Sequence, residues 1–310
     1  RALGVLVANF DGDRRPDVFV ANDGGRCWML MNRGGLRFED QAEAAGTARD
    51  GAGRPLAGMG LACADLDGDG RPDLLATNFL GRSSIAFRAL ALPGTYQDDS
   101  MGLGITAATH GVLGFGVVAA DFDADGRVEV LQVNGHVLER ERLGIPFAMR
   151  PTLLRNREGR FEDATAAAGA WFDRPRLGRG LAVGDVDGDG RPDLAATALD
   201  APFALLANRS QAAPSVHLDL VDARGLPAFG ARVRARIGGR TVVQDLAGGG
   251  SYLSSSPPRL SFGLPDAPAI EALEVDWPWG GTETWRDLRP GPPFRLREGR
   301  SPGGAAADAP

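Results

Sequence analysis

The stretch that decides the fold is Gly60–Asn78, GLACADLDGDGRPDLLATN, in which one apolar strand leads into an acidic loop and then into a second apolar strand. The same template returns as VLVANFDGDRRPDVFVAN from Val5, GVVAADFDADGRVEVLQVN from Gly116 and GLAVGDVDGDGRPDLAATA from Gly180. The acidic loops begin at positions 9, 65, 121 and 185, so the spacings are 56, 56 and 64 residues. A fixed long period of this kind predicts a repeat architecture rather than a run of unrelated β-hairpins.

The second half of each unit repeats as well. MLMNRGGLRFEDQAEAAG and LLRNREGRFEDATAAAG share an Asn turn, at Asn32 and Asn156, followed by a Phe, a Glu-Asp pair and an Ala-rich stretch. Arg88 takes the Asn position in the second unit, and Asn208 matches in the fourth. About four short strands in a unit of this size are typical of a β-propeller blade. A ring of six or seven such blades needs roughly 350–400 residues, so we expect residues 1–210 to form an incomplete, truncated propeller whose four blades make an open arc.

The acidic loops follow the pattern D-x-D-x-D-G-x-x-D, with carboxylates at positions 1, 3, 5 and 9. Two carboxylates about 4.5 Å apart repel by roughly 4 kcal/mol at an effective dielectric constant of 20. A solvated Asp-Gly turn is the alternative for one isolated copy, but four copies in register favour an ion site. Oxygen ligands without His or Cys favour calcium over zinc, and a flexible set of 6–8 oxygens favours calcium over magnesium.

We therefore predict up to four Ca²⁺ ions. The predicted metal ligands, with each arginine contributing its backbone carbonyl at position 7, are Asn9, Asp11, Asp13, Arg15, Asp17, Asp65, Asp67, Asp69, Arg71, Asp73, Asp121, Asp123, Asp125, Arg127, Glu129, Asp185, Asp187, Asp189, Arg191 and Asp193. Position 6 is a sharp turn that favours the positive φ of glycine, and Arg14 occupies it in the first loop. Because that loop also has Asn9 at position 1, we expect it to be the weakest site.

Composition excludes several classes of function. The formal net charge is −6, which argues against non-specific nucleic-acid binding. The sequence contains no lysine, which excludes lysine Schiff-base chemistry and Walker-type phosphate loops. No apolar run approaches the 18 residues of a membrane span. Neither an initiator Met nor a signal peptide is present, so we expect that the true N-terminus, with any export signal, is missing.

The two cysteines do not suggest a disulfide framework. Cys63 occupies the slot of Val7, Ala119 and Val183 in the other units, two residues before an acidic loop. This position predicts a small, buried thiol in the core.

The repeat residues resemble FG-GAP or VCBS repeats, the calcium-loop blades that also occur in integrin-α propellers. GMGLACADLDGDGRPDLLATNF and LGFGVVAADFDADGRVEVLQVNGHV, followed by LLRNREGRFEDATAAAG, look like bacterial relatives of the cartilage acidic protein family. The stretch from Phe229 to Gly281 is similar to the ASPIC/UnbV domain, through Gly-Ala-Arg-Val, Gly-Ser-Tyr-Leu-Ser, Phe-Gly-Leu and Val-Asp-Trp-Pro. The resemblance implies a calcium-binding protein, secreted, on the cell surface or in the periplasm, without an established reaction.

Residues 215–298 alternate apolar and polar residues and contain Gly-Gly turns, which predicts a half-buried antiparallel sheet in a small β-sandwich domain. The fold class is therefore all-β throughout. Trp277, Trp279 and Trp285 could line a sugar-binding face, but core packing is the favoured interpretation. The composition of residues 299–310 predicts a disordered tail.

The leading functional hypothesis is a calcium-stabilised extracellular adhesion or binding module for an unidentified glycan or protein ligand. The alternatives are a calcium-dependent polysaccharide lyase or hydrolase and a purely structural repeat. His136, in the sequence VNGHV, is a candidate ligand-binding or catalytic residue, although a hydrogen-bonded loop histidine is the favoured interpretation. No catalytic signature is present, so we do not expect an enzyme.

Overall fold

The computed structural model describes residues 1–300 and confirms an all-β chain. The first sheet contains β1 (Ala2–Ala8), β2 (Asp17–Gly25), β3 (Trp28–Asn32) and β4 (Phe38–Asp40), followed by helix α1 (Ala42–Ala45) and a short strand β5 (Leu56–Ala57) on β2. The second contains β6 (Leu61–Ala64), β7 (Asp73–Ala76), β8 (Ile85–Ala89) and β9 (Tyr96–Asp98), followed by helix α2 (Ile105–Thr109).

Two further sheets complete the repeat region. The third contains β10 (Gly114–Ala120), β11 (Glu129–Asn134), β12 (Thr152–Arg157) and β13 (Arg160–Asp163). The fourth contains β14 (Gly178–Gly184), β15 (Asp193–Ala198) and β16 (Ala204–Leu206). All four sheets are antiparallel, and the strands of each blade are joined in chain order. The second and third sheets have four strands and the last has three, whereas the first has six because β5 and one strand of the C-terminal region join its four blade strands. The helices have four and five residues, far fewer than a membrane crossing requires.

Each acidic loop joins the first strand of a blade to the second, in one repeated register. The residue before the loop pairs with the loop's position-9 acid, as in Ala64 with Asp73 and Ala120 with Glu129. Ala8 with Asp17 and Gly184 with Asp193 repeat this pairing. The ladder therefore holds every position-9 carboxylate at the same place in its blade.

Apolar side chains fill the spaces between consecutive blades. Phe19 of the first blade and Phe87 of the second are both fully buried, and their ring centroids lie 6.4 Å apart in an edge-to-face arrangement. Cys27 is buried in the same apolar cluster as these two rings, and the half-buried Cys63 packs against that cluster. Both cysteines are free thiols. Burial raises the pKa of the Cys27 thiol to about 11. The expected apolar environment of Cys63 is thus present, although its side chain is not fully enclosed.

The C-terminal region forms two further sheets. Its strands are β17 (Ser215–Val221), β18 (Arg232–Ile237), β19 (Arg240–Asp245), β20 (Gly248–Gly249), β21 (Leu260–Gly263), β22 (Ile270–Asp276), β23 (Thr282–Leu288) and β24 (Phe294–Arg297). One sheet has the order β21-β17-β24 and the other β19-β18-β22-β23. All pairs are antiparallel except β17 with β24, which is parallel. Both sheets contribute to one apolar core, as expected of a small sandwich.

The tryptophans divide between core and surface. Trp277 and Trp285 are 0% and 3% exposed and pack edge to face with centroids 6.1 Å apart, so core packing is confirmed for both. Trp279 is 60% exposed, so for this residue the core interpretation is wrong. Glu298 and Gly299 form a turn, which is closed by a hydrogen bond from the Arg300 N–H to the Arg297 carbonyl. The rest of the expected disordered tail, 301–310, lies outside the described residues.

A segment of the C-terminal region, Gly248–Pro257, enters the repeat region, and we call it the finger. Gly249 pairs with Leu6 of β1, and Ser251 exchanges backbone hydrogen bonds with Leu61 of β6. The finger then returns along β14, where the Val183 N–H donates to Ser256 Oγ at 3.0 Å. The first strand of each blade lies beside the first strand of the next, in the order β1, β6, β10, β14. The finger is hydrogen-bonded to both ends of this series, β1 and β14.

Candidate metal centres

The position-9 acid of each loop is anchored by backbone N–H groups. Asp73 is fully buried, and its two carboxylate oxygens accept hydrogen bonds from Leu66 N (2.9 Å) and Ala89 N (2.7 Å). Asp17 and Asp193 make the same two bonds with the equivalent residues of their blades. In the third loop Glu129 Oε2 accepts from Phe122 N at 3.1 Å. Each of these carboxylates thus closes its own loop.

Three of the four predicted loops gather their acids at positions 1, 3 and 9. In each group one oxygen from every acid lies within 4.8 Å of the others, a spacing suitable for a shared cation. Among residues 1–300 these groups are Asp65, Asp67 and Asp73; Asp121, Asp123 and Glu129; and Asp185, Asp187 and Asp193. The ligands are carboxylate oxygens throughout, which suits a hard divalent cation.

Buried oxygens without a hydrogen-bond partner occur at these positions. Glu129 Oε1 and Asp123 Oδ1 in the third loop, and Asn9 Oδ1 in the first, have no partner within residues 1–300. A buried polar atom that lacks a partner carries a substantial desolvation cost. A cation at these loops would satisfy all three atoms, so the residues present fit a metal ion.

The pKa values of the loop acids are raised, mainly because burial disfavours their charged form. The pKa of Asp65 rises to about 6, those of Asp73 and Asp121 to about 7, and that of Glu129 to about 8. Neighbouring acids of the same loop raise these values further, while backbone hydrogen bonds lower them. The pKa of Asp17 is also raised to about 7 by burial. Proteins tolerate such groups near neutral pH when a positive charge is close by.

Position 5 has a different role from positions 1, 3 and 9. Asp69 pairs with the guanidinium of Arg71, at position 7 of the same loop, and Asp125 pairs with Arg127 at 2.6 Å. Asp13 with Arg15 and Asp189 with Arg191 repeat the pair. The position-5 acids therefore lie outside the gathered groups, and the arginine side chains that follow them neutralise their charge.

The position-7 arginines also tie the loop to the third strand of the blade. The Nε–H groups of Arg15, Arg71 and Arg191 donate to the carbonyls of Asn32, Ala89 and Asn208.

A second set of arginines, which the sequence pattern did not single out, faces position 3. Arg155 lies 2.8 Å from Asp123, and Arg209 lies 3.0 Å from Asp187. Arg33 near Asp11 (3.4 Å) and Arg88 near Asp67 (3.9 Å) face the position-3 acid in the other blades. Arg33 and Arg209 follow the Asn position by one residue, whereas Arg88 and Arg155 precede it, at the end of the third strand. The expected alignment of Arg88 with the Asn position is therefore wrong, because Ala89 makes the hydrogen bonds that Asn32 and Asn208 make. The recurrence of arginine beside this position was the available signal.

The first loop departs from the template where it meets the C-terminal domain. Arg14 has φ 68°, which places it in the left-handed region that Gly70, Gly126 and Gly190 occupy in the other loops. Its guanidinium donates to Gly280 O (3.0 Å), Asp276 Oδ1 (2.9 Å) and Thr282 Oγ1 (2.8 Å). The predicted costly turn is confirmed, and its compensation is a contact between the domains.

The other loops also touch the C-terminal region. The Ala213 N–H donates to Asp123 O at 3.1 Å, and Ser215 Oγ donates to Gly190 O at 3.3 Å. A Cβ added to Gly263 would lie 2.2 Å from Ala124 O, so the third loop approaches β21 as closely as glycine permits. The acidic loops thus form the face on which the C-terminal domain rests.

Comparison with known proteins gives relatives along most of the chain. Cartilage acidic protein 1 of Xenopus tropicalis is 28% identical over 300 residues, covering 89% of this chain and 42% of the relative. The human protein of the same name is 26% identical over 295 residues and is covered to 41%. The chain therefore spans about two fifths of the length of the curated relatives it matches.

Solved structures give weaker likenesses. A rhamnogalacturonan lyase, YesW, has a TM-score of 0.37 and 13% identity, covering 92% of this chain and 55% of that chain. An Agrocybe aegerita lectin, described as recognising non-reducing terminal N-acetylglucosamine, has a TM-score of 0.35 and 17% identity, covering 79% and 66%. These scores are too low to carry an argument about function.

Family matches cover both parts of the chain. FG-GAP-like repeats match residues 9–76, and an FG-GAP repeat matches residues 177–210. The ASPIC and UnbV family matches residues 222–303. The matched repeats thus include the first, second and fourth acidic loops. The C-terminal match includes strands β18 to β24. The chain thus carries FG-GAP repeat matches in its N-terminal part and an ASPIC and UnbV match in its C-terminal part, and it is similar along most of its length to cartilage acidic protein 1.

Proposed function

We propose that this chain is a calcium-binding extracellular module that uses its blades to bind a glycan or protein ligand. The observation that carries the calcium assignment is the gathering of three acids, within 4.8 Å of one another, in three loops of the same period. The proposed ligands come from positions 1, 3 and 9 and from the position-7 carbonyls, with the first loop as a fourth and weakest site. When bound, calcium would supply the positive charge that these buried acids require.

An extracellular location follows from the expected affinity. The acids at positions 3 and 5 are paired with arginines that a cation must compete with, and several loop carboxylates are partly exposed. Such features weaken binding toward the range of extracellular calcium modules, about 10⁻⁴–10⁻³ M. We therefore propose a secreted, surface or periplasmic protein. We also propose that the chain has three parts: a blade region (1–210), a β domain (215–298) and a tail (299–310).

Calorimetric titration of the chelator-treated protein tests the calcium assignment. Calcium should bind at three or four sites and raise the melting temperature, whereas magnesium should bind more weakly because it requires rigid octahedral geometry. Asp121→Asn should remove one site. Asp173→Asn, a change at an exposed acid outside the loops, is the matched control and should leave the stoichiometry unchanged. A protein that binds no calcium in this titration would refute the proposal.

A polysaccharide-acting enzyme with His136 as its catalytic group is the less favoured alternative. The side chain of His136 is 3% exposed, and its Nδ1 accepts a hydrogen bond from Leu138 N at 3.0 Å. None of the described residues places a carboxylate in hydrogen-bond contact with this ring. A search for turnover of acidic and neutral polysaccharides, with His136→Gln as the comparison, would distinguish the alternatives.

A further inference from the structure

Residues from three distant parts of the chain meet at the strand ends opposite the acidic loops. Arg179 lies at the start of β14 and His136 follows the end of β11, so both lie at the ends of their strands farthest from the loops. Tyr252 is carried to the same place by the finger, and its ring packs edge to face against Phe115 at 4.9 Å. The Asn-Gly-His and Gly-Ser-Tyr-Leu-Ser motifs, which the calcium sites do not use, therefore converge.

Arg179 is a cation without an acidic partner at this convergence. Its guanidinium stacks on the Phe115 ring, with Cζ 4.0 Å from the centroid. It donates to two backbone carbonyls, Gly178 O (2.7 Å) and His136 O (3.1 Å). Within residues 1–300 no carboxylate oxygen forms an ion pair with it, and Asp200 acts on it at longer range. Burial lowers its pKa because desolvation disfavours the charged guanidinium.

Tyr252 adds a free hydrogen-bond donor beside Arg179. Its hydroxyl makes no hydrogen bond within residues 1–300, and the residue is half-buried. His136 contributes its backbone carbonyl, while its own ring is 3% exposed and packs edge to face against Phe79 at 5.5 Å. The cluster thus offers a guanidinium and a hydroxyl beside aromatic rings, with no anion among them.

We propose that Arg179 and Tyr252 form a binding site for the carboxylate of an acidic saccharide. A planar guanidinium with unused N–H groups matches a planar carboxylate through paired, charge-assisted hydrogen bonds. The half-buried Tyr252 adds an aromatic ring suited to packing against a sugar ring and a free hydroxyl that matches a sugar hydroxyl. This inference rests on the proposed function of a ligand-binding module and assigns its ligand class and the face it uses.

Calorimetric titration with trigalacturonate, in calcium-saturated protein, tests the inference. The fully methyl-esterified trisaccharide is the matched ligand because it lacks only the charge, and N-acetylglycine reports binding of a carboxylate without a sugar. The variants are Arg179→Lys and Tyr252→Phe, with Leu253→Ala as the control because Leu253 is the adjacent finger residue and is 84% exposed. Thermal melts and calcium titrations of every variant establish that each is folded and metal-loaded.

We expect trigalacturonate to bind, and its methyl ester and N-acetylglycine each to bind at least tenfold more weakly. Arg179→Lys should weaken binding about tenfold or more, since it removes a paired bond to a charged group. Tyr252→Phe should weaken binding several-fold without changing the melting temperature, because the hydroxyl has no partner within the described residues. If Arg179→Lys does not fold, the Tyr252→Phe result decides alone.

Three outcomes overturn the inference: no binding of trigalacturonate, equal binding of the ester, or unchanged binding by the variants. N-acetylglycine binding as tightly as the trisaccharide would refute the saccharide assignment. Calcium binding that persists in the same samples would leave the proposed calcium sites intact, so the two failures are distinguishable.

Discussion

Replacing Asp73 by Asn should stabilise the protein without calcium, and this advantage should be lost or reversed in calcium. Asp73 is fully buried, and burial raises its pKa from 3.8 to about 7. At roughly 1.4 kcal/mol per pKa unit, the folded protein at about pH 8 bears a cost on the order of 4 kcal/mol for holding this carboxylate ionised. The folded-state pKa lies above the unfolded one, so the metal-free protein should lose stability as pH rises from about 4 to about 7.

The amide of Asn removes this titration but accepts only one of the two backbone hydrogen bonds that Asp73 receives. Leaving either Leu66 N or Ala89 N without its acceptor costs about 1–3 kcal/mol. In chelator at about pH 8 the variant should therefore be more stable than the unmodified protein by about 1–3 kcal/mol. In calcium this advantage should be lost or reversed, because a site filled at 100 times its dissociation constant contributes about 2.7 kcal/mol that the variant loses.

Urea unfolding at about pH 8 and about pH 5, each with chelator and with calcium, measures the effect. The stabilisation in chelator should shrink at the lower pH, where the Asp73 carboxyl is protonated in the folded protein. Asp173→Asn serves as the control with no expected change. An Asp73→Asn variant that is destabilised equally with and without calcium would refute the reasoning, because the effect would then be a lost hydrogen bond alone.

Three further predictions concern the loops. Arg155→Gln should raise the calcium affinity of the third site several-fold in a calorimetric titration, because its guanidinium competes for Asp123; unchanged affinity would contradict a competing role. Arg14→Gly should relieve the positive φ yet increase protease cleavage near the 210–214 linker, because the contacts to Asp276, Gly280 and Thr282 are lost; unaltered cleavage would show that this contact does not hold the domains together. The double change Asn9→Ala, Asp11→Ala should remove weak calcium binding and leave the tighter sites unchanged, and loss of a tight site would reverse the predicted ranking.

The spacing of the repeats was sufficient to predict the blades, because each acidic loop connects two adjacent strands and its length sets their pairing. The pairing of Ala64 with Asp73 and of Ala120 with Glu129 follows directly from the length of the acidic loop. The glycine requirement at position 6 was likewise local, since it depends on the φ of a single residue.

Interactions between distant residues could not be predicted in this way. Nothing in the loop pattern indicates that position 5 pairs with the arginine two residues later while positions 1, 3 and 9 gather. Trp279 was misplaced because its prediction used only the general tendency of tryptophan to be buried in small β domains. In the structure its backbone N–H donates to Arg14 O at 2.9 Å across the domain contact. The finger has the composition of a Gly-Ser loop, and its position among the first strands depends on partners far away in sequence.

The finger has a consequence for biosynthesis. The edge of β1 that Gly248 and Gly249 cover is synthesised long before these two glycines, because Leu6 pairs with Gly249. Until the glycines emerge, an uncovered strand edge is available to other chains, which is a known route to aggregation. Contacts between such distant residues also slow folding. Nascent chains of this protein should therefore depend on chaperones until the finger has left the ribosome.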